Sequence, residues 1–380
     1  MHKPLTIAVD IRDLRLAKTG TRTYLEELCR EFKKMESAEL RFHFLDTSLP
    51  VYNGQNKLLR YVEHARYQFW KQLILPIKAF FRRCDIVFCT DNCVPVMHLG
   101  YQTIPVFHDA FCFESPEAYG KLWLWLYMKT AVPAASRSRF VITPTEWSKK
   151  QIHHYTQIPN DKLEVIYEGP KYLNADEAAN GDTMLDKFSL KPQGYILHVG
   201  SMFKRKNIPA LIEAFAIAKQ TSPTLKLVLA GPKPANEFDS DYRLIRDAIK
   251  KNNLSDEVVL TGYLSDSELA VIYQNALLYV FPSTNEGFGI PVLEAFKNNL
   301  PVLVANNTCL PEVGGDAVLQ FDPFNVSDIA DKINLVANDP ELRSRMIDKG
   351  RQRLKLFSWQ NTATQLINVF KKAAMPRQIP

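Results

Sequence analysis

The sequence predicts an α/β protein built from two doubly wound domains in tandem. Three observations predict this class. The chain has 380 residues, which at about 150 residues per domain is enough for two domains or three. Apolar, strand-like runs alternate with helical patterns, the mark of βαβ units and a parallel sheet. The alternation breaks at a polar, small-residue stretch, residues 174–187 (NADEAANGDTMLDK), and then restarts. We place the first domain at 1–175 and the second at 190–357, and read 174–187 as a linker or excursion.

The elements follow in order. LTIAVD (5–10) is an apolar run ending in a carboxylate, a strand. The loop IRDLRLAKTGT leads into the helical pattern TYLEELCREFKKM, with Tyr24, Leu25, Leu28 and Phe32 on one face. ELRFHFLD is a strand by alternation and aromatic content. CDIVFCT (84–90), QTIPVFHD (102–109) and SRFVITPT (138–145) are further strands, several separated by helical stretches. In the second half QGYILHVGS, TLKLVLAGP, EVVLTGYL, LLYVFPS, LPVLVAN and AVLQFDP read as strands. Helical patterns such as NIPALIEAFAIAKQ and IPVLEAFKNN follow most of them. These strands are short, apolar and unalternating, as parallel strands covered on both faces are. Ligands bind such sheets beyond the carboxyl ends of the strands. Two facing domains therefore place a cleft between those ends.

Composition excludes several other classes. Hydrophobic residues at 46% and charged residues at 23% are ordinary for a globular protein, which excludes a disordered, collagenous or coiled-coil chain. No apolar run approaches the ~18 residues of a membrane span, and the stretch around Leu122–Met128 is too short. The start, MHKPLTIAVDIRD, is charged early and reads as a strand rather than a signal peptide. Six cysteines make no disulfide scaffold, and Cys84, Cys89 and Cys93 lack a second ligand pair at zinc spacing. We expect reduced, half-buried thiols. The net charge of +6 lies wholly in residues 1–165, with 23 Lys+Arg against 17 Asp+Glu. That surplus has meaning where this half meets an anionic partner such as a membrane surface.

Four segments carry chemistry. In FPSTNEGFGIPVLEAF (281–296) a strand ends at Phe281–Pro282 and a helix opens near Pro291. Gly287 and Gly289 let the backbone approach a ligand, and the helix start offers free N–H groups suited to phosphate. Glu286 and Glu294 bracket this loop, so that one ligand can span both, a sugar at the first and a ribose at the second. In HVGSMFKRKN (198–207), Lys204, Arg205 and Lys206 stand just before a helix and can clamp a diphosphate. IPVFHDAF (104–111) is read as a strand ending in His108–Asp109, with the aspartate able to orient or charge the ring. AKTGTRTYLEEL (17–28) places Gly20 in a loop before a helix.

Together these segments resemble the family 4 glycosyltransferases, which have the GT-B fold. The resemblance runs nearly end to end. It is strongest over 195–360, where VGSMFKRKN, LVLAGP, VVLTGYLSDSELAVIYQNA, YVFPSTNEGFGIPVLEA, PEVGGDAVLQFDP and FSW stand in the family's order. It implies a retaining hexosyltransferase that moves a sugar, mannose or rhamnose among the expected ones, from a nucleotide-diphosphate donor to a glycan or lipid-linked acceptor. It implies a role in surface-polysaccharide assembly and no metal or other cofactor. By resemblance, Glu286 lies near the donor sugar, Glu294 holds the ribose, and Arg205 with Lys206 holds the diphosphate after Gly200 and Ser201. Gly287, Phe288, Gly289 and Ile290 match the donor loop, and Gly262, Tyr263 and Leu264 match the turn beside the base. His108 matches the first-domain residue near the reacting centre. Gly20 and Thr21 match the acceptor-side glycine loop. In this fold the last helix crosses back, so 358–380 is assigned to the first domain, with a bend near Ser358–Trp359.

The chain departs from the family at two points. Ser201 stands where many relatives have arginine, with Arg205 as the compensating cation, and the N-terminal loop has a single glycine. FDSD (238–241) contains a D-x-D, a metal signature in a different architecture. Here it precedes a helix, where Asp and Ser serve as caps. KLWLWLYMK (121–129), flanked by lysines, is either a buried helix or a bilayer contact. A cytoplasmic enzyme, peripheral on the inner membrane face, is expected. A nucleotide-sugar 2-epimerase and a silent sugar-nucleotide-binding partner are the alternatives. A nucleic-acid partner has no supporting motif.

Overall fold

The computed structural model describes residues 3–17, 20–52, 54, 56–173, 181–232 and 240–375. The chain divides into two compact units, one of Met1–Glu168 with Trp359–Pro380 and one of Gly169–Ser358.

The first unit holds β1 (Leu5–Asp10), β2 (Leu40–Leu45), β3 (Ile86–Cys89) and β4 (Gln102–Pro105) in a parallel sheet of order β2-β1-β3-β4. The short strands β5 (Val141–Thr143) and β6 (Leu163–Val165) form a second parallel pair, tied to the first by a bridge between Val106 and Ile142. The helix Gly20–Lys34 buries Tyr24, Leu25, Leu28 and Phe32, the face that its 3.6-residue spacing marks. The helix Trp359–Ala374 packs into this same unit. Its Phe370 ring lies 6.1 Å from Phe32 and 5.2 Å from Phe88, and Thr362 Oγ1 donates to the Tyr167 carbonyl at 2.7 Å.

The second unit is one parallel sheet made of β7 (Tyr195–Val199), β8 (Lys226–Ala230), β9 (Val258–Gly262), β10 (Leu278–Phe281), β11 (Val302–Ala305) and β12 (Val318–Phe321). Its order is β12-β11-β10-β7-β8-β9. The winding reverses between β7 and β10, and a doubly wound sheet has its ligand crevice at the carboxyl ends of two such neighbours.

Several expectations are corrected. The strand expected over 102–109 stops at Pro105, because the Phe107 N–H turns to the Ile142 carbonyl (2.8 Å). His108 and Asp109 therefore sit in a loop. Gly20 is the first residue of its helix, not a loop residue. Residues 181–187, read as part of a linker or excursion without helical periodicity, form the helix Gly181–Lys187, whose Met184 and Leu185 are buried. All six cysteines are free and buried rather than half-buried. The three residues of β6 were not anticipated; a strand that short has too little periodicity to see.

Candidate active site

The crevice between β7 and β10 gathers the charged residues that the two loops carry. Lys204–Lys206 forms a single 3-10 turn. The Arg205 carbonyl accepts a hydrogen bond from Thr284 N (2.8 Å), which fastens this loop to the one after β10, and Ser283 Oγ lies 3.0 Å from the same carbonyl. Lys206 Nζ then lies 2.5 Å from Glu286 Oε1, and Arg205 Nη1 lies 3.1 Å from Glu286 Oε2. Ser283 Oγ donates to Glu286 Oε1 at 2.6 Å, and the Lys206 ammonium sits 4.9 Å over the Phe281 ring. Burial alone raises the Glu286 carboxyl, but Lys206 and Arg205 outweigh it and hold the group below its ordinary value. Lys206 and Glu286 are buried, while the Arg205 side chain is one-third exposed. Lys206 and Arg205 thus share the Glu286 carboxylate.

Lys204 is exposed, and its backbone N–H donates to Asp241 Oδ2 at 2.8 Å. That bond occupies the second aspartate of the D-x-D; Asp239 lies outside the described residues. Among the described residues no group of three or more His, Cys, Asp or Glu could hold a metal ion.

The glycine loop is shaped for its own reasons. Gly289 has φ +107°, and a Cβ there would meet Leu310 Cδ2 at 3.1 Å, so only glycine enters the helix Ile290–Lys297 at this angle. Pro291 fills its first turn. Phe288 and Ile290 are buried, with the Phe288 ring edge-on to Phe357 at 6.0 Å. Cys309 Sγ lies 3.2 Å and 3.1 Å from the Glu286 and Phe288 carbonyl oxygens, gripping the loop from behind. Sequence reading missed this thiol because it is more than twenty positions away.

A row of glycines ends three neighbouring strands. Gly200 N donates to the Ala230 carbonyl (2.9 Å) and Gly231 N to the Gly262 carbonyl (3.0 Å). A Cβ on Gly231 would fall 1.8 Å from the Gly200 carbonyl oxygen. A Cβ on Gly200 would meet nothing nearer than His198 Nε2 at 3.5 Å, so the fold itself does not require glycine there. Beside the row, Ser201 is half-buried, Tyr263 is exposed and Leu264 is buried. His198, buried under Gly200, was not anticipated. Its Nδ1 donates to the Val280 carbonyl (3.0 Å), and burial lowers the ring to about 4, so it is neutral.

Glu294 sits in the helix after the loop, buried, with Tyr273 OH donating to Oε2 at 2.9 Å. Burial raises its carboxyl from 4.5 to about 7. A carboxyl raised in this way keeps its proton in the folded protein while the unfolded chain has lost its own. Its share of stability is whole below pH 4.5 and declines until pH 7, by about 3 kcal/mol. Glu294→Gln removes the titration. The variant should gain on wild type between pH 5 and pH 8 when both are unfolded in urea, and an unchanged gap between the two pH values would contradict the assignment.

In the first unit His108 lies in the loop after β4, beside Thr90, the residue that follows β3. Its Nε2 donates to the Thr90 carbonyl (3.0 Å), and its Nδ1 faces Glu168 Oε1 at 3.4 Å. Burial lowers the ring, but Glu168 and Thr90 outweigh it and the net shift is upward. The carboxylate closest to the ring is Glu168, sixty residues away, rather than the neighbour Asp109, whose Oδ1 accepts from Phe111 N at 3.0 Å. Gly20 is exposed and Thr21 half-buried at the start of their helix.

Known proteins resemble this chain in sequence and in fold. A family model described as "Glycosyl transferases group 1" matches residues 183–353. O-antigen chain mannosyltransferase B of Escherichia coli is 31% identical over 277 residues, 72% of this chain and 71% of that protein. The serotype-specific mannosyltransferase WbdA of Escherichia coli is 28% identical over 290 residues, 75% of this chain but only 35% of that longer protein. Among solved structures, HepE of Anabaena in complex with UDP and glucose is similar in fold, with a TM-score of 0.74 at 16% identity over 97% of this chain and 100% of that one. The crevice, its cations and this likeness lead to one assignment: the chain belongs to the group 1 glycosyltransferases, family 4 with the GT-B fold, and is a hexosyl-transferring enzyme.

Proposed function

We propose that this enzyme transfers mannose, with retention of configuration, from a nucleotide-diphosphate donor to a glycan or lipid-linked acceptor in surface-polysaccharide assembly. The observation that carries the donor reading is the Arg205–Lys206–Glu286 cluster beside Gly200, a strand-end glycine where the fold leaves room for a Cβ. A diphosphate fits there, drawing on Arg205, Lys206 and the N–H groups after Gly289. As the diphosphate takes up the cations, Glu286 is freed to face the donor sugar. Gly200, Ser201 and the turn Gly262–Leu264 take the nucleotide. Glu294, oriented by the Tyr273 hydroxyl, receives the ribose hydroxyls. Leaving-group charge is met by fixed cations and amides, which need no reorganisation as the bond breaks. The mannose assignment rests on the names of the related mannosyltransferases. The acceptor is assigned to the first unit, with His108, its partner Glu168, Asp109, Gly20 and Thr21 on that side. The enzyme works without a metal, at the cytoplasmic face of a membrane.

A panel of nucleotide sugars tests this reading. A mannose donor should raise the melting temperature most, since a ligand bound to the folded state stabilises it by mass action. Nucleoside diphosphate should be released only when acceptor is supplied, and in excess chelator as fast as without it. Release without acceptor, accompanied by epimerised sugar, would favour an epimerase. Loss of activity in chelator would bring back a metal.

A further inference from the structure

We propose that the first unit docks on an anionic lipid bilayer through the helical rod of residues 57–81. The rod joins the helix Lys57–Phe69, a π-helical turn Trp70–Ile74 and the helix Leu75–Phe81. One side belongs to the core, where Trp70, Leu75 and Ala79 are buried and Lys71 Nζ lies 2.6 Å from both Asp10 and Asp91. The other side carries Leu58, Val62, Phe69, Leu73, Ile77 and Phe80, all exposed, with Leu58 at 72% and Phe80 at 53%. Most of these follow one another at four-residue steps, which on a 3.6-residue helix drift forward by about 40° each. The π turn winds more slowly and brings the stripe back into line. Amphipathic faces normally meet their own core; this rod already does so and still shows a second apolar stripe to solvent.

The charge pattern selects the occupant. Residues 57–83 contain seven Lys+Arg and one acid, Glu63. Glu63 is buried and paired with Arg12. Arg60, Arg82 and Arg83 are exposed. This segment alone equals the surplus of positive charge in the first 165 residues. A second copy presenting the same face would set cations against cations. An anionic bilayer instead offers phosphates to the arginines and hydrocarbon to the stripe. The stretch 121–129 is a weaker candidate. Its Tyr127 is buried and Trp123 and Leu124 pack on the core, so among the described side chains Trp125, Leu126 and Met128 are the exposed apolar ones. The inference rests on the proposed lipid-linked acceptor only for its purpose, and lipid binding is read without any transfer assay, so the two readings can fail separately.

The test is co-sedimentation of the full chain with vesicles of phosphatidylcholine alone or mixed with phosphatidylglycerol. Binding should require phosphatidylglycerol and weaken with salt. Ile77→Ser/Phe80→Ser/Phe81→Ser, the last a neighbouring ring that is 78% exposed, should lower the partition coefficient about ten-fold or more. Arg82→Gln/Arg83→Gln should lower it roughly five-fold per charge and flatten the salt dependence. The arginine pair is solvent-exposed, so it keeps the test open if the triple variant fails to fold. The proposal is overturned if wild type ignores anionic vesicles, or if both variants bind as wild type does. It is also overturned if Trp125→Ser/Leu126→Ser abolishes binding while the rod variants retain it, or if the stripe proves to hold a dimer that the triple variant separates and vesicles do not.

Discussion

Replacing Lys206 with alanine should destabilise the second unit and weaken donor binding together. Lys206 is buried with its ammonium 2.5 Å from Glu286. Its removal leaves a buried carboxylate with only Arg205 and Ser283 as the charged and hydroxyl partners described above. Taking one partner from a buried ion pair costs about 3–5 kcal/mol, mostly the desolvation of the group left behind. The pH sign is fixed by Glu286. In wild type its carboxyl lies below the ordinary value, so its contribution is present at neutral pH and lost as pH falls through the folded pKa. In the variant the carboxyl should rise, and a proton then relieves the strain. The gap between variant and wild type should therefore narrow on acidification. Urea unfolding at pH 7 and pH 5 measures it.

The same substitution should cost donor diphosphate about 1.5–3 kcal/mol, the range for hydrogen bonds to charged groups. A nucleoside without phosphates should bind variant and wild type equally. Equal loss for nucleoside and donor would refute the diphosphate role. Glu286→Gln separates the two effects, because it should lower turnover more than donor affinity.

Gly231→Ala should be the most damaging single methyl group that can be added to the second unit's strand ends. The new Cβ would fall 1.8 Å from a backbone oxygen of Gly200, and Gly231 also holds φ +156°. Neither atom can rotate away as a side chain would, so β7 and β8 must part at their carboxyl ends. Overpacking of this kind costs about 3 kcal/mol or more. Gly200→Ala, one strand over, meets nothing closer than 3.5 Å. It should change stability by less than about 1 kcal/mol while weakening nucleotide binding. Two alanines on neighbouring strands thus give opposite phenotypes, read by thermal melting and by nucleotide titration. Similar melting losses for both would remove the argument that Gly200 is kept bare for a ligand.

The sequence by itself determined the alternation of strands and helices, the restart of the pattern, and the glycine-and-glutamate segment after β10. These are local properties. Apolar runs, Pro291 in a first turn and a glycine before a helix each report on neighbours within a few residues. The four core residues of the helix Gly20–Lys34 were legible for the same reason. The linker reading of 181–187 failed because two buried residues, Met184 and Leu185, in a polar stretch give no period.

Only the tertiary structure decided which groups meet. Arg205 and Lys206 face Glu286 because β7 and β10 are neighbours at the reversal of the sheet, a pairing of strands some eighty residues apart. Glu168, not the adjacent Asp109, is the carboxylate nearest His108, and Cys309 grips a loop more than twenty residues before it. The raised carboxyl of Glu294 and the neutral His198 arise from burial, which no spacing in a sequence encodes. The rod of residues 57–81, with its exposed stripe, carries no motif that sequence reading singled out. Only the packed chain shows that its core-facing side is already occupied by Trp70, Leu75 and Ala79, so that a second apolar side is left to water. Periodicity states how many faces a helix has, and packing states which of them are already covered.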